Sequence, residues 1–216
     1  VMVSSWGLRA QLRLFHNNAG GTFTEITEKA GLIGEWGGLN MMQTDYNNDG
    51  HPDVLILRGA WMGAAGHYPN SLLRNNGDGT FADVTEEAGL LSFHPTQTAT
   101  WFDFNNDGWL DLFIGNESLG TEIHPCELYR NNGNGTFTEC AARAGVANLG
   151  FVKAVASGDF NNDGRPDLYL SRRSQPNVLY RNDGPRGPVN GPAADWQFSD
   201  TSVSAGVMEP VLSFPA

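Results

Sequence analysis

The chain has 216 residues, of which 40% are hydrophobic and 11% aromatic, so it can form a packed core and is not wholly disordered. Its net charge of −11 argues against a nucleic-acid partner, because phosphates are repelled by an acidic surface. It contains no run of about 18 apolar residues, so we expect no transmembrane segment in this chain. Its 27 glycines and 11 prolines favour short strands joined by tight turns.

Three sequence landmarks recur in phase along the chain. Acidic loops begin at Asp45, Asp103 and Asp159, which are 58 and 56 residues apart (103 − 45 and 159 − 103). A turn rich in Asn and Gly and ending in Thr-Phe recurs at 17–23, 75–81 and 131–137, with a degenerate copy at 182–184. An Ala-Gly pair before Leu or Val closes each unit, at 30–32, 88–90, 144–146 and 205–207. Such phasing indicates an internal structural repeat.

Each repeat is predicted to hold four short strands, because β-prone runs flank the acidic loop and the Asn-Gly turn. In chain order, the clearest predicted strands are 54–57, 72–74, 81–84, 98–102, 111–114, 127–130, 137–140, 153–156, 167–170 and 178–181. Residues 85–88 are expected to form a single helical turn.

A four-stranded unit of this length favours a β-propeller blade over a β-sandwich, which needs about 100 residues and seven strands. We therefore predict an all-β fold of antiparallel four-stranded blades in one domain, 1–216. Residues 1–32 are expected to hold the last two strands of a partial blade, and 207–216 the start of a further one. The full blades are predicted at 39–86, 97–142 and 153–200. Three full blades form an incomplete arc, which the remaining blades or another chain would complete.

The acidic loop reads Asp-x-Asn-x-Asp-Gly-x-x-Asp in all three copies. Alternate residues of a tight loop point inward, so the oxygens at positions 1, 3, 5 and 9 converge, and the glycine at position 6 permits the turn. Ca²⁺ takes six to eight oxygen ligands, so we predict about three ions, with position 7 contributing its backbone carbonyl. The predicted ligands are Asp45, Asn47, Asp49, His51 and Asp53; Asp103, Asn105, Asp107, Trp109 and Asp111; and Asp159, Asn161, Asp163, Arg165 and Asp167.

Other interpretations of these loops fit less well. An EF-hand needs Glu at position 12 and flanking helices, whereas position 12 here is Ile56, Ile114 or Leu170 and the flanks are strands. Mg²⁺ prefers octahedral sites that keep water, and Zn²⁺ prefers Cys or His. A metal-free turn remains the alternative, since Asn, Asp and Gly dominate turns, but three carboxylates in one loop repel each other without a cation.

The two cysteines, Cys126 and Cys140, lie at opposite ends of one predicted hairpin centred on Gly133. We predict a disulfide across this hairpin, which would fit an oxidising compartment. The alternative is a pair of buried free thiols.

The loops and the run at 73–90 resemble a known group of repeats. The loop is similar to those of FG-GAP/VCBS-type repeats in integrin-α-like propellers, and the run at 73–90 resembles the cartilage acidic protein/UnbV-related branch. The resemblance implies a seven-bladed propeller, structural calcium in the loops between the first two strands of a blade, and an extracellular setting.

We therefore expect a calcium-binding extracellular module, secreted or on the cell surface, that binds a protein or glycan in adhesion and is not an enzyme. The alternative is a portion of a propeller enzyme, such as a polysaccharide lyase or dehydratase. Outside the repeated motifs, the residues able to act as acids or bases are few, and they form no recognisable catalytic set: His67, Tyr68, His94, His124, Arg172 and Arg173.

Overall fold

A computed structural model describes residues 1–7, 9–186 and 195–208 of the chain. The chain divides into two compact units, Val1–Pro95 and Thr96–Ala216. Within the described residues, no helix is long and apolar enough to cross a membrane.

Fifteen strands, two one-turn α-helices and a 3-10 turn make up the regular structure of the described residues. In the first unit the strands are β1 (Met2–Val3), β2 (Arg13–Asn17), β3 (Phe23–Glu25), β4 (Asn40–Thr44), β5 (Asp53–Leu57), β6 (Ser71–Asn75) and β7 (Phe81–Asp83), with the 3-10 turn at Gly63–Gly66. In the second unit the elements are β8 (Thr96–Phe102), β9 (Asp111–Asn116), β10 (Glu127–Asn131), β11 (Phe137–Glu139), α1 (Ala141–Ala144), β12 (Val152–Gly158), β13 (Asp167–Arg172), β14 (Val178–Arg186), β15 (Asp195–Asp200) and α2 (Ser202–Ala205).

The predicted all-β class of antiparallel blades is confirmed. Strands consecutive in the chain pair with each other, giving four-stranded sheets of β4–β7, β8–β11 and β12–β15. Each of these sheets is a propeller-like blade, and the set of blades is incomplete. Asn-Gly turns join the third and fourth strands of the β4–β7 and β8–β11 sheets, where Gly77 and Gly133 adopt the positive φ that these turns require.

The N-terminal sheet has one strand more than the sequence suggested. We expected only two strands within 1–32, but β1, β2 and β3 form a three-stranded sheet. The extra strand pairs Met2 with Leu14 and Val3 with Arg13. It was missed because a two-residue strand is too short to show a period-2 pattern.

In the first unit, the Ala-Gly landmark links the N-terminal sheet to the β4–β7 sheet. The amide of Phe81 on β7 donates a hydrogen bond to the Ala30 carbonyl over 2.9 Å. Ala30 is buried in a cluster with Leu12, Leu32 and Leu73. The landmark therefore marks the residues through which one blade packs on the next.

The second unit repeats this packing between its two sheets. A large core cluster joins residues of the β8–β11 sheet, such as Phe102 and Leu128, to residues of the β12–β15 sheet, such as Leu168 and Phe198. At the first strands, the amide of Val155 donates to the Thr98 hydroxyl over 3.2 Å.

Two predictions fall at the edges of the described residues. The insertion in the last hairpin includes residues 187–194, which lie outside them, and on either side β14 pairs with β15 with a register shift between Asn182 and Gly184. The predicted start of a further blade at 207–216 also lies outside them, apart from residues 207–208.

The single helical turn expected at 85–88 is a hydrogen-bonded turn in which the Ala88 amide donates to the Val84 carbonyl.

The predicted disulfide between Cys126 and Cys140 is wrong in this structure, where both thiols are free. The prediction placed the hairpin centre at Gly133, but Tyr129 pairs with Glu139, which puts Cys140 opposite Leu128. The two cysteines are therefore diagonal neighbours rather than a facing pair. Both contribute to the apolar core of the second unit, and burial raises the pKa of each thiol to about 12.

Candidate metal centres

Each acidic loop connects the first two strands of a full blade. The loops leave β4, β8 and β12, and the last aspartate of each is the first residue of β5, β9 or β13. All fifteen predicted ligand residues thus lie in three equivalent places, one for each four-stranded sheet.

The first loop folds around its own carboxylates. The Asp49 amide donates to Asp45 Oδ1 over 3.0 Å and to Asn47 Oδ1 over 3.2 Å, so these two side-chain oxygens lie close together. Asp45 Oδ2 accepts the Gly50 amide, and Asp49 Oδ1 accepts the His51 amide. The same bonds recur with the equivalent residues of the other two loops.

Two positive φ angles close each loop. Position 4 is an asparagine in the left-handed region, with φ of 55° at Asn48 and Asn106 and 58° at Asn162. Asparagine tolerates this conformation better than other side chains, and glycine at position 6 meets the same need. The loop shape is therefore encoded locally.

The aspartate at position 9 is buried in every loop. Asp53 and Asp111 are fully inaccessible and Asp167 is 1% exposed. In the second loop, Asp111 Oδ2 accepts the Phe104 amide over 3.1 Å and Oδ1 accepts the Asn131 amide over 2.7 Å. Asp53 and Asp167 make the equivalent pairs of bonds. One carboxylate thus ties its own loop to the end of the third strand.

Burial dominates the electrostatics of these carboxylates. It raises the pKa of Asp53 to about 6 and that of Asp111 to about 8, and it also raises the pKa of Asp167. Backbone hydrogen bonds oppose the shift, while the carboxylates at positions 5 and 1 of the same loop add to it. Three mutually repelling carboxylates therefore lie within one loop, which is the electrostatic condition that a bound cation relieves.

The donor set fits a hard divalent cation. Each loop supplies carboxylate and amide oxygens at positions 1, 3, 5 and 9, with no Cys and no His side-chain nitrogen required. The residues at positions 1, 3, 5 and 9 would hold the ion, together with the carbonyl of position 7. The bound ion would supply positive charge and strand-to-strand linkage rather than a reactive group.

An asparagine on the third strand of each full blade was not predicted to belong to the site. In the second sheet, the Asn131 side chain donates to the Leu110 carbonyl over 3.0 Å and accepts the Gly133 amide over 3.0 Å. Asn75 and Asn182 make the same contacts in their blades. The Asn-Asn-Gly landmark was visible in the sequence, but only the fold shows that its first asparagine forms a hydrogen bond to the acidic loop.

The side chain at position 7 also contacts the neighbouring Asn-Gly turn. The side chain at this position lies against the glycine of the Asn-Gly turn, so a Cβ on Gly77 would come within 2.4 Å of the His51 ring. A Cβ on Gly133 would lie 3.0 Å from the Trp109 ring. The variability of position 7 therefore changes the surface of the turn beside each loop.

An arginine side chain provides a positive charge beside the third loop. The Arg165 guanidinium lies 2.5 Å from the carboxylate of Asp163, which occupies position 5 of the loop. Its Nε donates to the Asn182 carbonyl over 3.0 Å, which holds the side chain in place. Within the described residues, neither His51 nor Trp109 forms such an ion pair with its loop, so the third loop differs from the other two.

Two of the residues considered for catalysis have structural contacts. The Arg172 guanidinium donates to the Pro176 carbonyl over 2.6 Å and so holds a loop. The amide of the buried residue His124 donates to the Ser118 hydroxyl, and its ring nitrogen lies 3.8 Å from Glu122.

Four-stranded blades with an Asp-rich loop between their first two strands define a repeat protein of propeller type. Comparison with known families agrees, because the FG-GAP-like repeat matches residues 1–56, 45–114 and 103–170. The chain belongs to the FG-GAP-like repeat family.

Curated relatives lie in the cartilage acidic protein branch. The chain is 26% identical to cartilage acidic protein 1 of Mus musculus over 174 residues, covering 76% of this chain and 26% of the relative. The Homo sapiens protein is also 26% identical over 174 residues, and the Xenopus tropicalis protein is 29% identical over 132, covering 60% of this chain. The match covers 25% of the length of the human protein and 18% of the length of the frog protein.

Proposed function

We propose that this chain is a calcium-stabilised extracellular binding module in which about three Ca²⁺ ions have a structural role. The observation that carries this proposal is the threefold recurrence of one loop geometry, with three converging carboxylates of which the last is buried. In the described residues, no Lys or Arg side chain forms an ion pair with the buried carboxylates of Asp53, Asp111 or Asp167. A bound cation would supply the missing charge.

The loops join the parts of a blade that a cation can stabilise. Positions 1 to 5 follow the first strand, position 9 begins the second, and its carboxylate holds the amide that ends the third. An ion that bridges positions 1, 3, 5 and 9 would therefore fix three strands at one edge of the blade. Each site filled at 100 times its dissociation constant adds about 2.7 kcal/mol to the free energy of unfolding.

Calorimetric titration and thermal melting test this role. We expect about three Ca²⁺ sites and a melting temperature that falls when EGTA replaces Ca²⁺, with Mg²⁺ giving a smaller effect. An Asp107→Asn variant should lose one site. Asp78→Asn is the matched control, because this exposed carboxylate accepts bonds from Thr80 in the hairpin turn and lies outside the acidic loops. Identical melting in Ca²⁺ and EGTA would refute the structural role of calcium.

We infer an extracellular setting and a protein or glycan ligand from membership of the repeat family and from the similar proteins. Those relatives are named for cartilage and for acidity, and this chain also has a strong negative charge of −11. Antibody detection in the culture medium, compared with the lysate of the source cells, tests the location.

We also propose that the chain is non-catalytic. The positions of His124 and Arg172 support this, because both form contacts that hold backbone segments. Turnover on a polysaccharide panel by the calcium-loaded chain would contradict it.

A further inference from the structure

A cavity of 170 Å³ opens in the second unit between the β8–β11 and β12–β15 sheets. Its walls are mainly apolar and include Phe104, Cys140, Ala144 and Trp196. Phe104 and Trp196 meet edge to face with ring centroids 6.0 Å apart. Arg130 and Arg143 also line it, and we call it the Arg130 cavity.

The charge of Arg130 is not balanced by its own blade. In the last blade, the equivalent Arg181 forms an ion pair with Asp183 over 2.6 Å. The residue equivalent to Asp183 is Asn132, so Arg130 meets a neutral amide over 3.3 Å. A single residue difference between two repeats therefore leaves one guanidinium without a carboxylate partner among the described residues.

The second arginine does not cancel this excess. Arg143 is paired with Asp195 over 3.1 Å, so the two guanidiniums and the one carboxylate leave a positive charge at the cavity. The chain as a whole carries −11, which makes this a local reversal of sign. Such a site favours a ligand that carries a carboxylate, because the arginine fork matches carboxylate geometry.

The size and lining of the cavity identify the other part of the ligand. A dry cavity of about 150 Å³ accommodates benzene, so the Arg130 cavity has room for one aromatic or branched aliphatic side chain. A sugar ring fits the lining less well, because hydroxyl groups buried against apolar walls lose their hydrogen bonds to water.

A second, wider cavity of 390 Å³ continues on the other side of Arg130. Asn105, Asp107, Trp109, Asn131 and Asn132 line the rest of it, so this cavity borders the second acidic loop and contains a carboxylate. The Asn131 amide already bonds Leu110 and Gly133, and Asn105 and Asp107 are predicted calcium ligands, so we assign this second cavity to the calcium site and only the Arg130 cavity to the ligand.

We propose that the Arg130 cavity docks an acidic segment of a partner protein. An apolar side chain of that segment enters the cavity and packs against Phe104 and Trp196, and a neighbouring carboxylate pairs with Arg130. This inference rests on the proposed role of the chain as a binding module and assigns one site and one ligand chemistry to that role.

The test uses the whole calcium-loaded chain and blocked tripeptides. NMR follows the Trp196 indole N–H, assigned with a Trp196→Phe variant, while acetyl-Asp-Phe-Glu-amide is added. We expect saturable shifts, and binding weakened about tenfold in Arg130→Gln, since one charge-assisted pair is lost. Arg74→Gln is the matched control, because Arg74 occupies the same place in the preceding repeat and should leave binding unchanged.

Two further peptides and a saccharide separate the possible outcomes. Acetyl-Asn-Phe-Gln-amide tests the charge and acetyl-Asp-Ala-Glu-amide tests the apolar side chain, and both should bind more weakly. Equal binding of the neutral peptide, or no effect of Arg130→Gln, would overturn the proposal. Binding of a glucuronate-containing tetrasaccharide in place of the acidic peptide would also overturn it. Calcium-dependent melting is measured separately, so failure of this site is distinguishable from failure of the calcium proposal.

Discussion

Arg165 should make the third loop the weakest of the three calcium sites. Its guanidinium already pairs with Asp163, which occupies position 5 of the loop, over 2.5 Å. A Ca²⁺ ion entering this loop must either displace the guanidinium or bind beside it. Replacing Arg165 by Trp, the residue at the same position of the second loop, removes this competition.

The size of the effect follows from two limits. If the guanidinium swings out, the loss is that of a partly exposed ion pair, about 0.2–1 kcal/mol. If it stays about 5 Å from the ion in a water-like dielectric, the repulsion costs about 1.7 kcal/mol. The Arg165→Trp variant should therefore bind Ca²⁺ at the third loop about 1.4- to 18-fold more tightly.

The assay isolates the third loop by calorimetry in a background of Asp49→Asn and Asp107→Asn, which disables the other two. Arg165→Gln serves as a second variant, because it removes the charge and keeps a hydrogen-bond donor toward the Asn182 carbonyl. Melting in EGTA checks that each variant folds. Unchanged or weaker Ca²⁺ binding in both variants would refute the electrostatic reasoning.

Two other predictions concern buried polar groups. Asn131→Ala should lower the free energy of unfolding, measured by urea titration, by about 2 kcal/mol, because it removes the side-chain bonds to Leu110 and Gly133. Asn132→Ala, in the exposed turn, should lower it by less. Equal losses in the two variants would contradict this prediction. Lys153→Met should cost about 3–5 kcal/mol, because it leaves Glu117 buried without its cation. Burial lowers the pKa of Lys153 from 10.5 to about 8, so between pH 8 and 10.5 the unfolded chain binds more protons than the folded chain. In this pH range, the stability of the wild type relative to Lys153→Met should therefore rise with pH. A stability difference that does not change with pH would contradict this prediction.

The strands and loops were predictable because their signals are local. Turn residues with positive φ, such as Gly77 and Gly133, and β-prone runs on either side of them act over a few neighbouring residues. The predicted ends of β5 and β10 fall within one residue of those observed. The two-residue strand β1 carried too little pattern to be recognised.

The errors arose where the answer depended on register. The hairpin of Cys126 and Cys140 was placed correctly, but its centre lies one position along from Gly133, since Tyr129 pairs with Glu139. A shift of this size leaves the strand pattern intact and changes which side chains face each other. Sequence spacing therefore predicted a facing pair that the sheet does not form.

The sequence by itself determined the repeat, the all-β blades and the three acidic loops, because each follows from turn chemistry and alternation within a short segment. Only the tertiary structure decided that Asp53, Asp111 and Asp167 are buried, that Arg165 reaches into the third loop, and that Arg130 lines a cavity. Burial and ion pairing are set by neighbours from other strands and blades, and those neighbours come together only when the sheets pack.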